Sequence, residues 1–581
     1  MKNYKKVYAA FILAGGLILH GCNGIFDDLA INPNQPSMGA YFTSPSAVND
    51  AVMTMYGYMS TQRCLGASGS KTTIIRSDEA SSNSDYGKPG MFGADLNASY
   101  YTIEQPYTLM YTTASQASYI IETAPSVDFS GNEELRNAYM GEAYFWRAFA
   151  HYYLLINFRN ISPIRQMPRN GDDYVRPLEK PAAVWNFIQE DLAHAKELLP
   201  VKGYWDSKNA GRVTKASAAA LLGKAYLYRS GIEQYYGEDK TTFYSEAAKE
   251  FGDVIDGKYG TYDLTKNYAD NFDVAHENNE ESILEFQFLG DVDNAGFNPG
   301  LATSGLAFDS RGLLPGAGVG YEGVVHNWLY NAFVNSVDKD GYTDIRMFST
   351  MIFNDLDASI HLRNDAGGNP IRLKGPGGYK WEELYPAKNG KEGFATVSNP
   401  LAHSFKAGIR KGIDCSMPTQ TEADGTPKLV GVGAGVKEYV YNQPRAHGVN
   451  WRYIRYADVL MMYAEAVVSG GTQASNMTPL QAVNKVRGRV NMSELPSVTM
   501  TDIQNERILE FALEGHRFYD LLRWGKLASR FTELQESDPN FKKFISADDF
   551  KGFVTNKHEW LPIPINEVNS NPYITENNPG Y

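Results

Sequence analysis

The feature that most constrains this chain is a recurring pair of amphipathic helical segments. Leu222-Gly223-x-x-Tyr226 is followed by Ala247-x-x-x-Phe251, two pieces of the tetratricopeptide pattern. There, small residues let two helices approach and a large ring fills the space between them. Asn132 to Phe158 reads as a long helix, with Ala143, Phe145, Ala148 and Tyr152 at helical spacings. Ala182 to Leu199 follows it, closed by Pro200. Tyr453 to Val468 with Pro479 to Val490 makes a further pair, and Ser44 to Ser60 with Tyr107 to Glu122 a looser one. Units of this kind bury their apolar faces by stacking on one another. The expected fold class is therefore all-α: a tetratricopeptide-like helical scaffold with units over about 44–290 and 450–525.

Two stretches break the helical rhythm. Gln62 to Gln105 is rich in Ser, Gly, Asn and Asp and carries Tyr86, Phe92, Tyr100 and Tyr101. A longer, Gly-rich insertion over about 290–450 holds Tyr321, Trp328, Tyr330, Trp381 and Tyr385. Long irregular segments in a compact protein are usually functional or disordered, and this aromatic content argues against disorder. Insertions on one face of a helical solenoid commonly form its binding surface.

Residues 1–21 read as a secretion signal. Lys2, Lys5 and Lys6 precede the apolar run Val7 to Leu19, which is too short to span a bilayer. The run ends in Leu19-His20-Gly21-Cys22, similar to a bacterial lipobox, so Cys22 is the expected acylated first residue of a mature chain covering 22–581. Asp27 and Asp28 follow closely and resemble a short surface-export signal. The net charge of −13, more negative still without the leader lysines, argues against a nucleic-acid partner. Cys64 and Cys415 are the remaining cysteines, and two free buried thiols are expected rather than a disulfide.

No Gly-x-Ser-x-Gly elbow and no His-Glu-x-x-His occurs. Gly66 to Thr72 imitates a phosphate loop, but Ser70 stands where the second Gly belongs. Asp291-x-Asp293-x-x-Gly296 begins like a calcium loop, yet its twelfth position is Ala302. Asp338, Asp340 and Asp344 around Gly341 suit a solvated turn better than a cation site. The 67 acidic residues single out no glycosidase pair. No cofactor, no metal and no catalysis are expected.

In the C-terminal third, Trp451 to Val468 with Ala464-Glu465-Ala466, Asn484-x-x-Arg487-x-Arg489, Glu506 to Gly525, and Leu561 to Tyr581 with its closing Asn-Pro-Gly together resemble the SusD/RagB family. Gly141 to Phe158 and Arg212 to Tyr228 look like the family's first helices. The resemblance implies a surface lipoprotein of the outer membrane that captures oligosaccharides and passes them to a TonB-dependent transporter. Peptide capture and a surface glycoside hydrolase are the alternatives. By analogy with the family's loop aromatics, Tyr86, Phe92, Tyr100 and Trp328 are the stacking candidates, and Arg76, Asp78 and Asn97 the polar ones. Sugar rings present C–H faces to aromatic planes and hydroxyls to such polar groups. Trp328 is expected to serve affinity and not stability. The reverse holds for Arg517, because Glu506, Glu510 and Glu514 with Arg507, Arg517, Asp520 and Arg523 are expected to tie helices together.

Overall fold

A computed structural model describes residues 42–581 apart from 62–63, 67–70, 83–91, 93–95, 170–172, 174, 289–321, 539–551 and parts of 376–448. Eight helices form the scaffold as four pairs: α1 (Pro45–Met59) with α2 (Tyr101–Thr123), α3 (Glu133–Phe158) with α4 (Pro181–Leu198), α5 (Lys215–Tyr236) with α6 (Tyr244–Ile255), and α8 (Tyr456–Val468) with α9 (Pro479–Arg489). Each packs on the next in chain order, and α6 packs on α8 across the long insertion. The insertion supplies α7 (Asn327–Val334). Helices α10 (Met500–Glu510), α11 (Arg517–Arg523) and α12 (Leu527–Ser537) follow the last pair, and α11 returns to α5.

Local chemistry sets these boundaries. Ser44 accepts the N–H of Ala47 at 3.3 Å, and Asn132 accepts that of Leu135 at 3.1 Å. Thr478 with Gln481 and Thr499 with Asp502 form capping boxes that start α9 and α10. Along α1 the buried residues are Val48, Ala51, Val52, Met55 and Met59, one helical stripe. In α5 everything from Ala216 to Ala225 is buried, since other helices surround it. A Cβ placed on Gly223 would meet the Phe251 ring at 2.7 Å, so the small residue and the large ring do make the close approach of α5 and α6.

Two boundaries differ from expectation. α2 begins at Tyr101 and contains Pro106, because Ile103, Pro106, Tyr107 and Met110 bury along one face. Trp451–Arg455 is a strand, β8, and the helix starts only at Tyr456. β8 pairs antiparallel with β2 (Ser282–Phe286), Phe286 opposite Trp451. All five of its residues are buried, so the run lacks the alternation that would separate strand from helix. The two irregular stretches also join one another. β1 (Ala80–Ser82), β3 (Glu322–Val325), β4 (Met351–Phe353) and β5 (Ala407–Ile409) form one sheet in the order β1-β3-β5-β4, with Ala80 opposite Val325 and Val324 opposite Gly408. The strands β6 (Leu429–Gly431) and β7 (Lys437–Tyr439) pair separately.

The C-terminal charges form a buried network. Arg455 donates to Glu281 and Glu510, both at 2.6 Å, and to Glu514 at 2.9 Å. Arg346 of the insertion reaches Glu506 at 2.5 Å and Glu510 at 3.0 Å, while Lys411 reaches Glu514 at 2.8 Å. Arg507 bridges Asp458 and Asp520, and Arg523 pairs with Glu465 and Asp520. Helices α8 to α11 and the insertion are thus tied by charge, as the spacing of these residues led us to expect.

Candidate functional site

Residues 73–82 run beneath the insertion, and Asp78 is their hub. Its carboxylate, fully buried, accepts from Arg517 at 2.9 and 3.0 Å and from Arg530 at 2.6 Å. Burial raises the pKa of this acid, but the Arg517 and Arg530 guanidiniums outweigh it and hold Asp78 below its ordinary value. The Asp78 carbonyl accepts the indole N–H of Trp328 at 2.5 Å and pairs with His326 Nδ1 at 2.7 Å. The carbonyl is only an acceptor, so Nδ1 carries the proton, and Nε2 accepts from Ser81 Oγ at 2.5 Å. Burial holds His326 below its ordinary pKa, favouring that neutral ring.

Trp328 itself is half-buried. The Arg530 guanidinium lies 4.3 Å from its ring centroid and that of Arg517 5.5 Å. The expectation that Trp328 serves affinity alone is therefore corrected. Its N–H closes a buried hydrogen bond, and cations pack against its ring.

Three other candidates are corrected as well, because they are buried among partners inside the protein. Arg76 is fully buried and donates to the carbonyls of His558 and Glu559 at 3.1 and 2.8 Å and to Asn157 at 3.3 Å, with Phe518 4.0 Å beneath its guanidinium. Asp78 is occupied as described. Phe92 is buried, stacked on His558 at 4.9 Å and edge-on to Phe531 and Phe553. Asn97 and Tyr100 stand instead at the start of α2. Asn97 is exposed and accepts the Ser99 N–H at 2.9 Å. Tyr100 is half-buried, its ring 5.2 Å from that of Tyr101, which is 38% exposed. Tyr86 and Cys22 lie outside the described residues.

The structure thus gathers Asp78, Trp328 and, through α12, Phe92 around Arg530 and Phe531. Sequence reasoning missed Arg530 and His326, and it named Tyr101 without making it a stacking candidate. Arg530 carries no motif, and only its contact with a residue far away in the chain gives it a role.

Asp338 caps its own turn, accepting the N–H groups of Asp340 and Tyr342 at 2.9 and 3.1 Å, whereas Asp344 pairs with Arg346 at 2.7 Å. Among the described residues no cluster of three His, Cys, Asp or Glu could hold a metal ion. Cys64 is a buried free thiol, and Cys415 lies outside the described residues.

Two family models match, one at each end of the chain: "SusD family" over residues 420–581 and "Starch-binding associating with outer membrane" over residues 31–227. The chain belongs to the SusD-like family. Among relatives of this SusD-like protein, a SusD-like protein of Bacteroides ovatus is 24% identical over 90% of this chain and 83% of its own. SusD-like protein P2 of Formosa agariphila is 25% identical over 100% of both chains. A SusD superfamily protein from Bacteroides vulgatus superposes with a TM-score of 0.66 at 22% identity, covering 93% of this chain and 100% of that one. Surface glycan-binding protein A of Bacteroides thetaiotaomicron, solved with laminarihexaose, gives 0.64 at 18% identity, over 92% and 100%. Among the described residues no helix is long and apolar enough to cross a membrane.

Proposed function

We propose that this SusD-like protein is a surface-exposed lipoprotein that captures oligosaccharides and delivers them to a TonB-dependent outer-membrane transporter, without turning them over. Family membership carries the reading. The model matching residues 31–227 is described as starch-binding and associating with the outer membrane, and one solved relative holds a hexasaccharide. The proposed ligand contacts are Asn97 and Tyr100 at the start of α2, Tyr86, and the open part of Trp328, which Asp78 supports from behind. Two adjacent, mutually tilted rings at the head of α2 supply apolar planes, and the neighbouring amide supplies hydrogen bonds, the pairing that a sugar needs.

A glycan array with the mature protein tests the central claim. Binding of at least one glycan class, weakened roughly tenfold by Tyr100→Ala, is the expected result. Peptide binding without glycan binding would favour the alternative cargo, and depolymerisation of a bound polysaccharide would establish a hydrolase instead. Anchoring is tested by Cys22→Ser. It should release the protein from the membrane fraction or leave it unprocessed, and normal cleavage with membrane retention would refute acylation at Cys22. Co-purification with a TonB-dependent transporter from native membranes tests delivery, and a chain that elutes alone would count against it.

A further inference from the structure

Apart from the Asp78 cluster, a cleft of about 240 Å³ opens between the 202–214 segment and the start of β2. Lys202, Trp205, Asp206, Tyr262 and Asn279 are among its lining residues. Pockets for drug-sized ligands begin near ~300 Å³, so this one suits a single ring.

Its charged groups are not equivalent. Arg212 is spent on Glu142, at 2.9 and 2.5 Å, and on Asn49 and Asn209. Glu285 accepts from Asn278, Ser282 and Asn450 and faces Arg452 at 3.3 Å. Lys202 is different. Its Nζ lies 3.9 Å over the Tyr262 ring and donates to the Thr261 carbonyl at 3.1 Å, and it makes no ion pair among the described residues. A half-buried ammonium on an aromatic face, with donors to spare, is a seat for an anionic oxygen.

The walls beside it are stiff. Trp205 is anchored by its N–H on the Val213 carbonyl at 3.2 Å and backed by the Arg212 guanidinium at 4.1 Å. Asp206 uses its Oδ1 to hold the N–H and side chain of Asn209, which leaves Oδ2 for a hydroxyl. We infer that this cleft is a second saccharide site, built for one uronic-acid residue. The sugar carboxylate pairs with Lys202, its C–H face lies against Trp205, and its hydroxyls meet Asp206 and Asn279. Burial depresses the Lys202 pKa, with Glu280 opposing, and an arriving carboxylate reverses that effect. The biological sense of the site rests on the glycan-capture reading, but its chemistry does not.

The test uses the whole mature chain, D-glucuronic and D-galacturonic acid as probes, and glucose and galactose as their neutral counterparts. Saturation-transfer NMR gives affinities for the wild type, Lys202→Met and Tyr100→Ala. Circular dichroism confirms that Lys202→Met, a change at the rim, melts like the wild type. Preferential uronate binding, weakened about tenfold by Lys202→Met and unaffected by Tyr100→Ala, is expected. The inference is overturned if no uronate binds, if neutral sugars bind equally well, or if Lys202→Met binds uronate like the wild type. A blank glycan array beside intact uronate binding would defeat the capture reading alone and leave the cleft standing.

Discussion

Glu79 adjoins the hub and titrates in an accessible range. Its side chain accepts the Leu513 N–H at 2.9 Å and the Ser77 hydroxyl at 3.2 Å. Burial, with Asp78 adding to it and the Leu513 bond opposing, pushes its pKa from 4.5 up to about 8. A folded-state pKa above the unfolded one means that the protonated acid favours the fold. The associated stability is complete below the unfolded value and is lost as pH rises through the folded one. Applying linkage to those two values, wild type loses about 2–3 kcal/mol between about pH 5.5 and about pH 7.5. At about 2 cal/mol/K per residue of unfolding entropy, that is a fall of about 2 °C in a chain of this length. Glu79→Gln keeps an acceptor for Leu513 and never ionises. The melting temperature of the variant relative to wild type should therefore rise by about 2 °C across this interval. Differential scanning calorimetry in matched buffers measures it, and other titrating groups cancel in the difference. Lys411, lowered to about 8 chiefly by burial, stays charged through most of the interval. A difference independent of pH would mean that Glu79 is not held protonated, and a variant that becomes relatively less stable as pH rises would reverse the argument.

Gly223→Ala should destabilise by about 1–3 kcal/mol, measured by urea unfolding, because the new methyl meets Phe251 at 2.7 Å. Phe251→Leu in the same chain should recover part of the loss. Arg455→Met removes the cation shared by three buried carboxylates and should cost about 3–5 kcal/mol by the same assay; a neutral effect would show that the network contributes nothing net. Trp328→Phe keeps a ring but removes the N–H bonded to Asp78, so it should cost about 1 kcal/mol of stability. Isothermal titration with a glycan found by the array should then show affinity nearly retained in Trp328→Phe and lost in Trp328→Ala.

The parts legible in the sequence were those with local causes. Caps at Ser44 and Asn132, the Gly223–Phe251 contact and the carboxylates spaced along Glu506 to Glu514 all follow from residues close together or on facing helices. Tyr453 to Arg455 of β8 were read as the start of a helix because all of Trp451 to Arg455 is buried, which erases the period that distinguishes the two. Arg76 and Asp78 were misread as ligand contacts because what buries them lies more than 400 residues away, in α11 and at His558 and Glu559. Asn97 and Tyr100 remain at the surface because they occupy the mouth of α2, a position that their own segment determines.

The pairing of residues 76–79 with 513–559 also has a kinetic consequence. A chain emerging from its N-terminus can assemble α1 to α6 one neighbour at a time. The floor beneath Trp328 must wait for the last hundred residues to arrive. Until then the Asp78 carboxylate lacks Arg517 and Arg530, and Arg76 lacks the carbonyls of His558 and Glu559. Closing loops of this span is slow relative to helix stacking. Assembly of this region is therefore the late event in maturation, and removal of the segment from α11 onward would leave a stacked helical array with no floor for the insertion.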